Sequence, residues 1–240
     1  HPTSLRVKEL FESVEAFTLI AQQLDLIRSR GRCCRSRTAP VARRFHGNAE
    51  PGKEANAPPL EPADSDTVID TIFDMACGHG LLGILLAYRF ADVQVICVDR
   101  ERQKAFDQYV AAFKVSGIPD HATAESAFLS NIVFVEGDMS SVDISPRSFI
   151  VCMQANKLVI EMAMQAEAGY AIIPCCIPDG LHAVETLRCA DPDMRYAAMV
   201  GAIAGAHGAH SISCIERRIT NHHMCIFGGF PFGGMHPSDG

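Results

Sequence analysis

Three glycines in G-x-G-x-x-G spacing, Gly78, Gly80 and Gly83, stand between an apolar run opening at Ile72 and Phe73 and a helical pattern from Leu81 to Phe90. A second apolar run, Val93 to Val98, then ends on Asp99. Strand, glycine turn, helix, strand and acid, in that order, is the layout of a nucleotide-type cofactor crevice. Glycines let the backbone approach a ligand, and an acid about 20 residues on can hold ribose hydroxyls. No other stretch limits the fold so strongly, because parallel strands joined by a right-handed crossover need further strands beside them and helices on both faces. Taken alone, the spacing suits a nicotinamide dinucleotide, a flavin dinucleotide or a third adenosine-bearing cofactor equally well.

The remainder of the chain continues the alternation from Thr67 onward. Gln103 to Val115 sets Phe106, Tyr109, Val110 and Phe113 on one helical side, and Asn131 to Val135 is a strand closing on Glu136-Gly137-Asp138. Phe149 to Met153 is a fourth strand, followed by a helix from about Ala155 to Ala168, and Tyr170 to Pro174 is a fifth. Pro192 to Ala206 can form a helix, with Pro192 suited to its first turn. Ser211 to Ile215 and Met224 to Phe227 flank a turn at Thr220-Asn221 as a terminal hairpin. The expected class is therefore α/β, a doubly wound, seven-stranded, mostly parallel sheet with a C-terminal antiparallel hairpin, plus an N-terminal helix. Its crevice lies at the carboxyl ends of the early strands, where Asp74, Gly78, Asp99 and Asp138 fall.

Three segments are expected: residues 1–28 as an amphipathic helix, 29–66 as an Arg/Pro-rich linker or strap, and 67–240 as the main domain. Val7, Leu10, Phe11, Val14, Phe17, Ile20, Ala21, Leu24 and Ile27 recur at three- and four-residue steps, an apolar stripe to pack on the main domain or a protein partner. Between Arg28 and Arg44 lie seven arginines and no acid, so a formal charge of −7 leaves −14 for everything else. The acidic remainder repels nucleic acid, whereas Arg28–Arg44 could meet RNA or another anionic surface, or serve as a solvated linker. An Arg-rich, acid-poor segment also hints at an organelle, plastid or mitochondrion. No apolar run is long enough to span a bilayer, and a soluble protein is expected. Of ten cysteines, several lie in apolar runs, including Cys97, Cys152 and Cys214, where buried reduced thiols are the expectation. Cys175-Cys176 and His222-His223-x-Cys225 lack chelating spacing, so no metal site is expected.

The segment DMACGHG, with VDR ending the next strand and EGDM ending the third, resembles the class I S-adenosylmethionine-dependent methyltransferases over about Thr67 to Phe230. The second acid, Asp138, separates this resemblance from dinucleotide enzymes, which do not need it. The resemblance implies S-adenosylmethionine as cofactor, held by Asp74, Ala76, Gly78, His79, Gly80, Asp99, Arg100, Asp138 and Met139. Asp74 and Gly78 to Gly80 would line the methionine moiety, Asp99 the ribose hydroxyls, and Asp138 with Met139 the adenine. His79 could also serve as a base or substrate contact. Acidic surroundings suit the amino and sulfonium charges, and no pyrophosphate calls for a cation.

Methyl transfer needs alignment more than acid–base help. The fourth strand ends Cys152-Met153-Gln154-Ala155-Asn156-Lys157, and the fifth Ile173-Pro174-Cys175-Cys176. Together they are similar to a branch of the superfamily that pairs a Cys-Asn-Glu-Ala-Asn-like segment with Pro-Cys-Cys, some of whose relatives act on RNA. Gln154 and Asn156 are the catalytic candidates, able to orient an amide, hydroxyl or base; the alternative for both is an ordinary helix start. This chain has Ile150 and Met153-Gln154 where that branch carries a His and an Asn-Glu pair, departures that remove polar chemistry. The implied function is methyl transfer to RNA, protein or a small molecule. The alternative is a catalytically weakened methyltransferase-like subunit of a larger complex; a dinucleotide oxidoreductase is a third reading.

Overall fold

The computed structural model describes residues 6–37, 69–116, 129–155, 157–175 and 191–229. Helix α1 spans Val7–Arg37. Then follow β1 Thr71–Met75, α2 Leu81–Arg89, β2 Gln94–Asp99, α3 Lys104–Ser116, β3 Ile132–Glu136, β4 Ser148–Ala155 and α4 Lys157–Gln165. After β5 Gly169–Pro174 come α5 Pro192–Ala206, β6 Ser211–Cys214 and β7 Met224–Gly228. All seven strands join one sheet in the order β3-β2-β1-β4-β5-β7-β6. The first five are mutually parallel, and β7 runs antiparallel to both β5 and β6. Consecutive strands depart from β1 in opposite directions, so the chain reverses its winding between β1 and β4. That reversal opens a crevice at the strands' carboxyl ends.

The two-residue period of the strands sorts their side chains onto two cores. One face carries Ile72, Val95, Cys97, Phe149, Val151 and Phe227 against α2 and α1. The other carries Phe73, Met75, Val98, Ile150, Cys152, Tyr170 and Ile226 against α4 and α5. Near-continuous apolar runs such as IFDM and YAIIP follow from burial on both faces. Cys97 and Cys152 are buried free thiols as expected, whereas Cys214 is exposed. It lies on the edge strand β6, where accessibility alternates residue by residue and Cys214 points outward.

Helix α1 packs on the domain itself, chiefly along α2, through Ala16, Ile20, Ala21, Leu24 and Ile27. Asp25 accepts from Arg89 at 2.9 Å, and Arg28 pairs with Asp92 while its guanidinium lies over the Phe90 ring. Arg28 is therefore engaged with the fold, and the side chains of the other arginines up to Arg44 lie outside the described residues. The helix runs to Arg37, past the expected boundary at residue 28, because Ser29–Arg37 contains no proline and is rich in helix-favouring arginine. The linker beyond it falls outside the described residues.

The face of α1 also differs from the expected apolar stripe. Val7 is 72% exposed and Phe11 51%, while Glu12 and Ser13 are buried. The inward line runs through residues 9, 12, 13, 16, 20, 24 and 27, at helical steps, with polar residues continuing it at the amino end. If α1 is anchored this way, Leu24→Ala, at a side chain 1% exposed, is expected to cost about 2–4 kcal/mol in urea unfolding. A loss below about 0.5 kcal/mol would mean that the helix does not dock here.

Candidate functional site

Strand β1 delivers Asp74 to the crevice, 2% exposed, with Oδ2 accepting the Gly83 amide at 2.9 Å. Between them the backbone turns through left-handed conformations at Ala76, Gly78 and Gly80. At Gly78 (φ +57) a side chain would be strained, and the space where its Cβ would project is open, with only Gln103 Nε2 nearby at 3.9 Å. Gly83 is required by close approach: a Cβ there would stand 2.4 Å from Cys97 Sγ. Asp99 laces this turn to β2, its Oδ2 accepting from the Gly78 amide and its Oδ1 from the Arg100 amide, both at 2.7 Å.

A cavity of about 290 Å³ opens at the turn. Its walls are Asp74, Ala76, Cys77, Gly78, His79 and Leu82 from the β1–α2 unit, Gln103, Met153 and Gln154, and Glu9, Glu12 and Ser13 from α1. Five of the sequence-derived candidates therefore meet in one place: Asp74, Ala76, Gly78, His79 and Gln154. The others stand apart from it. Gly80 caps α2, Asp99 lies behind Gly78, and Arg100 reaches Asp138 at 4.0 Å on the exposed rim. Asp138 caps the short turn Met139–Ser141, accepting from the Ser140 amide at 2.9 Å and hydroxyl at 2.7 Å. The Ser140 amide leads in holding its carboxyl below the usual range. Met139 packs partly into the core shared with α4 and α5. Asn156 lies outside the described residues.

Gln154 is not at a helix start. It belongs to β4, at a register slip between Met153 and Ala155, and takes a left-handed φ of +66. A non-glycine residue so placed carries strain, and the bulge sets Gln154 in the cavity wall. Its carbonyl accepts from Cys175 Sγ at 3.3 Å, so the ends of β4 and β5 are bonded to each other.

Charge is distributed one-sidedly. Three carboxylates, Asp74, Glu9 and Glu12, line the cavity, and among its lining residues there is no lysine or arginine. Burial raises the Asp74 carboxyl to about 7, opposed by the Gly83 hydrogen bond and assisted by the Asp99 charge. His79 accepts the Leu81 amide on Nδ1 at 3.2 Å, so neutral imidazole carries its proton on Nε2. Burial lowers its pKa, with Glu9 pulling the other way. His79 is thus placed to donate a hydrogen bond from Nε2. Tyr109 meets its ring edge-on at 6.1 Å.

Glu9, Glu12, Ser13, Gln103 and Met153 were not among the sequence candidates. The signal for the first three was present: polar residues at positions 9, 12 and 13 extend the line of residues 16, 20, 24 and 27 that α1 buries. Among the described residues no group of three or more His, Cys, Asp or Glu side chains is arranged to hold a metal ion. Among them, too, no helix is long and apolar enough to cross a membrane.

No protein-family profile matches the chain. No curated protein matches it either. Solved structures do. Coclaurine N-methyltransferase bound to N-methylheliamine and SAH is 11% identical with a TM-score of 0.32, over 42% of this chain and 30% of that one. An O-methyltransferase family protein from Burkholderia thailandensis is 12% identical with a TM-score of 0.40, over 68% and 52%. An aminoglycoside resistance methyltransferase is 14% identical with a TM-score of 0.38, over 67% and 88%. The chain thus spans under a third of the length of the first of these and about half of the second. The architecture rests on the strand order and register described above, which stand independently of these likenesses.

The folded protein holds the Asp74 proton to a higher pH than the unfolded chain, so this carboxyl costs stability that grows between about pH 4 and pH 7 and is constant above. Asp74→Asn, which keeps an acceptor for Gly83, is expected to raise the melting temperature by at least about 4 °C at pH 8, with the gain shrinking toward pH 4. Equal melting temperatures at pH 8 would contradict the burial of a carboxylate here.

Proposed function

We propose that the chain is an S-adenosylmethionine-dependent methyltransferase whose cavity at the end of β1 receives the methionine part of the cofactor. The observation that carries this reading is an acidic, cation-free cavity at the winding reversal of the sheet. A dinucleotide pyrophosphate placed there would meet acids and no lining cation, since Arg6 and Lys8 pair with Glu9 and Glu12 from outside the lining. A ligand with an ammonium and a sulfonium relieves the same charges. The residues fit the group in two further respects. Gly78 leaves room at the backbone, and Asp74 is a desolvated carboxyl that a cation would bring to its ionised form.

When bound, S-adenosylmethionine supplies a methyl group already activated by its sulfonium. The chain's part is to position and to exclude water. Asp99 keeps one lone pair on each oxygen beyond its bonds to Gly78 and Arg100, and these are available to ribose hydroxyls. Asp138 and Met139 lie one strand further out, on the side where adenine would extend. Gln154, from the β4 bulge, can fix an acceptor by its amide without moving a proton, which suits a displacement governed by alignment. The Pro-Cys-Cys branch reading rests on the sequence resemblance alone. RNA, protein and small molecules are all compatible acceptors.

A second reading, a methyltransferase-like subunit of a larger complex, is favoured by one observation. Val7, Leu10, Phe11 and Val14 form an exposed apolar row on the outer side of α1.

Calorimetric titration of the full chain with S-adenosylhomocysteine tests the cofactor. Saturable binding is expected, at least tenfold weaker in Asp99→Ala, with no heat from a nicotinamide dinucleotide. Absence of binding to folded protein, or tighter binding of the dinucleotide, would overturn the reading.

A further inference from the structure

We infer that α1 is a wall of the cofactor site and that Glu12 receives the α-amino group of the cofactor's methionine end, an assignment that rests on the methyltransferase reading. The helix presents its acids in a fixed register. Ile20, Leu24 and Ile27 are 2%, 1% and 4% exposed, and the Asp25–Arg89 and Arg28–Asp92 pairs hold the helix against α2 and the turn after it. With those positions buried, the helical period turns residues 9, 12 and 13 toward the glycine turn, where they line the cavity.

The two acids of α1 are not equivalent. Glu9 turns back on its own helix start, with Oε2 accepting the Arg6 amide at 3.2 Å and Oε1 4.0 Å from the Arg6 guanidinium. The Glu12 side chain is 12% exposed, and its ion-pair partner is Lys8, at 3.4 Å and 61% exposed on the solvent side. Across the cavity, Asp74 accepts one hydrogen bond among the described residues, on Oδ2, which leaves Oδ1 without one at a carboxyl 2% exposed. Two carboxylates sharing one small cavity repel. An ammonium relieves that repulsion and brings three donors with its positive charge. Beside these acceptors His79 presents a proton on Nε2, the kind of donor a carboxylate takes. Acceptors on one wall and a donor on the next are complementary to an α-amino acid zwitterion.

The test is calorimetry on the full chain with two ligands, S-adenosylhomocysteine and 5′-methylthioadenosine, which keeps the adenosine and lacks the amino-acid end. Glu12→Gln is expected to weaken S-adenosylhomocysteine at least tenfold and to leave methylthioadenosine within twofold. Unchanged S-adenosylhomocysteine binding, or equal losses for both ligands, would overturn the assignment. If the unaltered chain binds neither ligand, the methyltransferase reading fails and the role of Glu12 with it. Should Glu12→Gln not fold, Lys8→Met supplies the second variant. Freed of its partner, Glu12 is expected to tighten S-adenosylhomocysteine at least twofold and methylthioadenosine not at all, and an equal effect on both contradicts the inference.

Discussion

The hydrogen bond from the Gly83 amide to Asp74 ties the end of β1 to the first turn of α2. With strand and helix pinned at those two points, the intervening residues must reverse within a few positions, which drives Ala76, Gly78 and Gly80 into left-handed conformations. Amides at a helix start carry the positive end of the helix dipole, so they are suited to hold a carboxylate. They do not hold it without cost here, because burial still raises the Asp74 carboxyl to about 7. The turn that creates the cavity therefore also leaves an acid in it that lacks a counter-charge.

Everything around the cavity can be understood as support for that turn. Asp99 grips Gly78 from β2, and the Cys77 amide bonds the Val98 carbonyl at 3.1 Å, so the loop is laced to the neighbouring strand. On the opposite side the bulge in β4 projects Gln154, and α1 closes the outer wall. The same helix that buries aliphatic residues against α2 turns acids inward at its amino end. Packing and ligand chemistry thus share one helical face.

The regular parts of this arrangement were legible in the sequence because they are periodic. α5 begins at Pro192 and ends at Ala206 as its pattern indicates, and the antiparallel β6–β7 pair follows from two short runs and a turn. Asp74 and Asp99 could be found by their place at strand ends. What the carboxylates touch could not. The bonds of Asp99 to Gly78 and Arg100, and of Asp138 to Ser140, depend on local torsions that a residue string does not encode. The left-handed bulge at Gln154 is set by the pairing of β4 with β5, and it displaces the helix start that the apolar pattern implied. The buried face of α1 is hidden from the sequence for a related reason. Its most apolar stripe includes Val7 and Phe11, yet the buried line is chosen by what lies opposite, and at the amino end that is a cavity rather than a core.

The link between a buried acid and a cationic ligand can be measured without any acceptor. Titration of S-adenosylhomocysteine into the full chain at pH 7, in buffers of different ionisation enthalpy, reads the protons exchanged on binding. With the Asp74 carboxyl raised to about 7 and ionised once an ammonium is beside it, net release of protons on binding is expected. Binding with no proton exchange, or with uptake, would contradict a carboxyl whose charge is completed by the cofactor.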